Sequence, residues 1–312
     1  MLIDAKADAE AKDEDDNTAL SLTCAQGHSA CTQLLIDANA NIEAKGQRGM
    51  TALSIASRFG QTACLQLLVD AKADLEAKDA YDNTALLWGS VQGHTACAQL
   101  LLDAKANIEA RDRNNCTALL WACVRGHTAC AQLLVDSKAD LQDKDQQGRT
   151  ALIIVSAWGN TAFAQSLIDS KADIDARDNN NRTALLWASL RGHTACAQLL
   201  LDAKANLEAK DTEEYTALHW ASAHGRAECL QLLVNAKADI ETKCRRGMTA
   251  LMSASAWGHS TCMQLLVDAK ADVLAEDDDG RTVLMSASHP YHDGCIHVLV
   301  QSLLTIIGHP GL

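Results

Sequence analysis

Thr-Ala-Leu recurs at Thr18, Thr51, Thr84, Thr117, Thr150, Thr183, Thr216 and Thr249, always 33 residues apart, and Thr282-Val283-Leu284 keeps the step. Segment 112–144 matches segment 178–210 at 24 of 33 positions. Self-similarity at one period marks a stack of like modules, each packed only on its neighbours. A chain of 312 residues would otherwise be read as two globules; the period predicts a single elongated domain instead.

One module can be read from segment 178–210. After Thr183 the apolar run Ala-Leu-Leu-Trp-Ala-Ser-Leu is short, and Arg191-Gly192-His193 ends it. A second run places Cys196, Leu199 and Leu200 at helical spacing. The pattern predicts helix, tight turn, helix. Thr183 suits an N-cap, because its hydroxyl can accept a bond from an orphan N–H of the first turn. Gly192 suits the reversal, which needs a positive φ. Leu207 to Lys210 then runs extended into a polar tip. The fourth residue of the tip is Gly49, Gly148, Gly247 or Gly280, or else Asn115, Asn181, Asp16 or Asp82, types that tolerate the left-handed region. Glu214 breaks this rule, and its tip is expected to be distorted.

This module resembles the ankyrin repeat. The resemblance rests on Thr-Ala-Leu, on Gly-His at Gly93-His94, Gly126-His127 and Gly192-His193, on Gln-Leu-Leu, and on Ala-Asp-Ile/Leu before each tip; it spans roughly residues 2 to 300. It implies an all-α solenoid of stacked helix–turn–helix repeats joined by short β-hairpin-like turns. There are departures. The family's Thr-Pro-Leu-His carries Ala for Pro throughout, and only His219 keeps the His. Its helix-ending Gly is Lys72, Lys105, Lys138 or Lys171 here, or Asn39. A Lys at positive φ costs about 1 kcal/mol per repeat, so the stack should be less stable than a family ideal.

Residues 1–12 read as the second-helix tail of a partial repeat, 13–300 as nine repeats, and 301–312 as a divergent apolar tail or cap. In the tail, Leu303, Leu304, Ile306 and Ile307 should pack back on the last repeat or meet a further segment. No apolar run reaches membrane-spanning length, and no signal peptide is visible.

Of the twelve cysteines, Cys31, Cys64, Cys97, Cys130, Cys196, Cys229, Cys262 and Cys295 share one repeat position, which Phe163 fills in the remaining repeat. Neighbouring helices about 8–10 Å apart hold equivalent cysteines too far apart to bridge. They read as small buried hydrophobes in a reducing, intracellular and cytoplasmic setting. A net charge of −13 argues against nucleic acid as the partner.

No phosphate loop, G-x-S-x-G or H-E-x-x-H is present. His289, His292, Cys295 and His297 do not follow a zinc spacing and read as cap residues, so neither a metal nor a cofactor is implied. The Gly-His histidines recur because the turn recurs.

All fourteen lysines occupy two frame positions, whereas ten of thirteen arginines fall at hairpin tips or at the end of a first helix. The resemblance implies that those positions line a concave groove. The candidate partner-binding residues are Arg48, Arg58, Phe59, Tyr81, Arg113, Arg125, Arg149, Trp158, Arg182, Arg191, Tyr215, His224, Arg246 and Trp257. Trp, Tyr and Arg dominate interface energetics, so their concentration fits a binding groove, although solvated tips accumulate Arg without one. Trp88, Trp121, Trp187 and Trp220 read mainly as core filling between repeats, with an edge that could floor the groove. From the second to the sixth repeat the variable groove positions hold seven arginines and no acid. The expectation is therefore a non-catalytic scaffold for a protein or peptide partner, acidic or phosphorylated and with an apolar anchor. The alternative is a regulatory array cut from a larger enzyme or channel. Oligomeric state is not legible.

Overall fold

The computed structural model describes residues 8–287 and 293–307. Among the described residues the chain forms eighteen α-helices and no extended strand; two isolated bridges join Lys12 to Thr18 and Glu276 to Thr282. The fold is an all-α solenoid of helix–turn–helix repeats. Two compact units divide the chain, one ending at Gln147 and the other starting at Gly148.

Local chemistry places every element. Each first helix starts after a threonine at φ near −85°, as at Thr84 (φ −88°, ψ 172°) and Thr249 (φ −85°, ψ 169°), whose hydroxyl accepts the N–H three residues on. From Thr18 to Thr249 these threonines are buried, so the cap also removes a donor that water could not reach. In the seventh repeat His219 completes a capping box with Thr216, and its Nε2 bonds the Met248 carbonyl at 3.0 Å. Burial holds the His219 pKa below the ordinary histidine value. The leucine of each Thr-Ala-Leu, from Leu20 to Leu251, is almost wholly buried. Each such burial contributes about 2 kcal/mol.

The first helix ends on a left-handed glycine, as at Gly159 (φ 74°), and no side chain could replace it, because a Cβ there would lie 2.6 Å from the His193 ring. The Gly-His histidines are thereby explained. His94, His127, His193 and His259 each bring Nε2 to 3.1–3.2 Å from a carbonyl at the end of the preceding repeat's first helix. They close orphan carbonyls rather than hold a ligand.

The nine-residue second helices, such as Thr194–Asp202, end in a left-handed turn at Asn39 or at Lys72, Lys105, Lys138, Lys171, Lys204, Lys237 and Lys270, with φ between 60° and 72°. The tips expected to be left-handed are so, including Asp16, Asp82, Asn115 and Asn181. The expected distortion at Glu214 does not occur. Glu214 takes φ 62°, its N–H bonds Asp211 O at 3.0 Å as in other tips, and its carboxylate meets Lys210 at 3.5 Å.

Of the cysteines that share one position, all but Cys31 are buried. Cys31 is exposed, because no earlier helix among the described residues covers its face. No disulfide forms among the described residues. Burial pushes the thiol of Cys24 up to about 12 and that of Cys262 up to about 11, so both stay protonated. His289 and His292 lie outside the described residues, while Cys295 points into the core and His297 bonds Gln301 on the exposed side. The last helix, Asp293–Ile307, packs on Ser260–Asp268 and buries Val298 and Leu299; Leu303 and Leu304 are half-buried. The side chains of Ile306 and Ile307 lie outside the described residues.

One polar cluster departs from the frame. Asp143 stands where the other repeats mostly carry Ala, and Arg111 stands where they mostly carry Lys. The Arg111 guanidinium contacts Asp143 Oδ1, while Asp143 Oδ2 and Glu109 Oε2 are buried without a donor. Glu109 Oε1 accepts the Asp140 N–H at 2.8 Å. Burial raises the Glu109 pKa, and the neighbouring carboxylates of Asp143 and Asp140 add to it. The folded state therefore holds a proton that the unfolded chain has already released. Stability from this group is present at low pH and is lost as pH rises from the ordinary glutamate value through the raised one. Glu109→Gln supplies a permanent N–H in place of that proton. The variant should exceed wild type by about 1 kcal/mol at pH 7.5, with the gap narrowing as pH falls toward the ordinary glutamate value. Urea midpoints at pH 7.5 and at the ordinary glutamate pKa check this; an equal offset at both would refute it.

Candidate functional site

The face to consider is built from hairpin tips and first-helix ends. Except in the repeats that open on Gly46 and Cys244, each tip is a loop around an aspartate. Asp79 Oδ1 accepts the N–H groups of Tyr81 and Asn83 at 2.8 and 2.9 Å, and Asp178 and Asp211 do the same for residues two and four positions on. Adjacent tips are tied by backbone bonds, Ala80 N to Arg48 O and Arg113 N to Tyr81 O in the N-terminal unit, and Thr212 N to Asn180 O and Asp278 N to Arg246 O in the C-terminal one. Variable side chains are thus held one repeat apart.

The four first-helix tryptophans are half-buried rather than core. Each indole N–H donates to the second oxygen of its own tip aspartate: Trp88 to Asp79, Trp121 to Asp112 and Trp187 to Asp178 at 2.9 Å, and Trp220 to Asp211 at 3.0 Å. The indole N–H needs an acceptor, and the one within reach is the buried carboxylate of the tip, which holds the ring at the tip side of its helix. Sequence reasoning missed the pairing. Its signal was available: every tryptophan at this position follows an aspartate by nine residues, and the repeats that open on Gly46 or Cys244 have none there.

Four of the eight predicted arginines, Arg58, Arg125, Arg182 and Arg191, lie on these rings. In the N-terminal unit Arg58 sits 4.7 Å from the Trp88 ring and 5.4 Å from that of Phe59, and Arg125 sits 5.4 Å from Trp121. In the C-terminal unit Arg182 lies 5.2 Å from Trp187 and 4.5 Å from Trp220, and Arg191 lies 5.9 Å from Trp187. Stacking orders the side chain while leaving the edge of the guanidinium fork for a carboxylate or phosphate. Tyr215 and His224 pack on Trp220 at 5.2 and 5.4 Å. Desolvation, chiefly, holds the His224 pKa below the ordinary value, so it is neutral at pH 7. Trp158 and Trp257 project from helix ends, each 67% exposed, and Phe59 and Tyr81 are also exposed.

The arginines are not all alike. Arg113 pairs with Asp82 at 3.3 Å, and Arg182 donates Nε to the buried Asp211 at 3.4 Å. The acid-free reading of these positions therefore needs correcting: Asp82, itself a tip residue, and Asp211 neutralise part of the charge. Arg48, Arg125, Arg191 and Arg246 are exposed, and Arg149 is half-buried. The described residues contain no cluster able to hold a metal ion, and no described helix is long and apolar enough to cross a membrane.

A helical repeat stack that displays variable side chains from its tips defines a class of binding scaffold. The family model "Ankyrin repeats (3 copies)" matches residues 1–79, 45–112, 86–178, 154–244 and 237–306, and the chain belongs to the ankyrin repeat family. Ankyrin repeats are in general protein–protein interaction modules. Among solved structures the chain is similar to the human ASB11 ankyrin repeat domain, with a TM-score of 0.63, 22% identity, and coverage of 69% of this chain and 98% of that one. That likeness concerns the fold alone. No curated protein matches the chain.

Proposed function

We propose that this chain is a non-catalytic interaction scaffold whose tip and helix-end face takes a partner segment, acidic or phosphorylated and carrying an apolar anchor. The observation that carries the reading is the layering of charge. The opening aspartates of the tips, such as Asp178 and Asp211, turn inward and are used up on backbone and indole N–H groups, while guanidinium groups and aromatic faces turn outward. A molecule of net charge −13 thus presents locally basic, aromatic surface in each compact unit.

The test is an affinity pull-down with wild type and with Arg125→Glu, Trp158→Ala and Arg191→Glu. For a retained partner, each charge reversal in the unit that binds it should lower affinity about tenfold and flatten its salt dependence. Unchanged affinity in all three variants would sink the assignment.

A further inference from the structure

We infer that the C-terminal unit reads an extended acidic segment, with two apolar side chains seated against Trp158 and Trp257 and an acidic side chain between them on Arg191. The inference rests on the scaffold reading above and adds a spacing to it.

Trp158, Arg191, His224 and Trp257 each stand eight residues after the N-cap threonine, in four successive repeats, and all four are exposed. Their helices, Ala151–Trp158, Ala184–Arg191, Ala217–Ala223 and Ala250–Ala256, pack in that order, so the four side chains form one column. Packed helices lie about 8–10 Å apart, and an extended chain advances about 3.3 Å per residue. One repeat therefore corresponds to about three ligand residues. Trp158 and Trp257, three repeats apart, fit apolar side chains about nine residues apart, with the acid about three residues from the anchor at Trp158. A helical ligand rises only about 1.5 Å per residue and would need its anchors about 16–20 residues apart.

Charge selects the occupant. Arg191 rests against the Trp187 ring and has no carboxylate partner among the described residues. Beside it, Arg182 is held between Trp187 and Trp220 and directed by Asp211, with its Nη groups unpartnered among the described residues. Asp178 and Asp211 are buried. Glu213 and Glu214 already face Arg245 at 3.9 Å and Lys210 at 3.5 Å. The column is thus cationic at its second place and apolar at its two ends, the complement of an acid flanked by apolar residues.

A random 24-residue peptide-display library, long enough to hold the anchors at either spacing, selected on the full chain tests this. Enriched peptides should carry an acid about three residues from one apolar residue, and a second apolar residue about nine from the first. By fluorescence anisotropy, Arg191→Glu and the pair Trp158→Ala/Trp257→Ala should each weaken those peptides at least about tenfold, whereas Phe59→Ala/Arg125→Glu should not. Circular dichroism checks that each variant is folded. Peptides that depend on Phe59 and Arg125 instead would overturn the inference and leave the scaffold reading standing. Peptides with basic centres, or with anchors at helical spacing, would also overturn it. Failure to enrich any peptide would count against both.

Discussion

Replacing Lys72, Lys105, Lys138, Lys171, Lys204, Lys237 and Lys270 together by glycine is expected to stabilise the chain strongly. Each lysine ends a second helix at φ between 66° and 72°, where a Cβ crowds the following carbonyl. Each is also exposed, so its side chain gives up no packing when removed. Glycine relieves about 1 kcal/mol of strain per site and returns part of it as unfolded-chain entropy, for a net of about 0.5–1 kcal/mol. The sites lie a repeat apart and should add nearly independently, to about 3–7 kcal/mol over the seven. The helix-ending bonds, such as Ala73 N to Leu68 O at 3.0 Å, come from the backbone and survive the change. Guanidinium chloride midpoints followed by circular dichroism would read the gain. Asn39→Gly should add much less, because Asn tolerates this region. An unchanged or lower midpoint for the sevenfold variant would show that the turns are not strained.

Asp211→Ala should be among the most damaging single substitutions. The carboxylate is buried and accepts four bonds, from the backbone N–H groups of Glu213 and Tyr215 at 3.0 Å, the Trp220 indole at 3.0 Å and Arg182 Nε at 3.4 Å. Truncation leaves the indole and the guanidinium without their acceptor in a half-buried layer. A loss of about 3–5 kcal/mol follows. Asp211→Asn keeps the acceptor for the tip but turns an NH2 toward the Trp220 N–H, and should cost about half as much. The contrast is Asp13→Ala. Asp13 caps its tip in the same way, with Asn17 N at 2.8 Å, yet it is exposed and has no tryptophan above it. Water can replace it there, so the cost should stay below about 1 kcal/mol. Urea unfolding of the three variants is the check, and equal losses at Asp211 and Asp13 would refute the role of the indole.

The candidate face was legible in part. Arginine and aromatic residues at variable positions marked Arg58, Arg125, Trp158, Arg191 and Trp257, and the structure leaves these side chains on the surface or at its edge. Arg113 and Arg182 looked equally available, but their carboxylate partners sit 31 and 29 residues away, on neighbouring tips. The tryptophans looked like core, because hydropathy counts the indole carbons and not the N–H that must find an acceptor.

By itself the amino-acid sequence determined the repeat length, the threonine caps, the glycine reversals and the strained lysine turns. The caps and the glycine reversals depend on φ, ψ and hydrogen bonds within a few residues, which side-chain type largely dictates, whereas the lysine turns run against that preference and follow from their place in the repeat. Only the tertiary structure decided which charges are spent internally, which rings lie along the surface, and that Cys31 is exposed while the other cysteines in its position are buried. Those outcomes depend on contacts roughly one repeat away, between side chains whose sequence spacing is constant but whose direction is set by packing against the neighbouring helices.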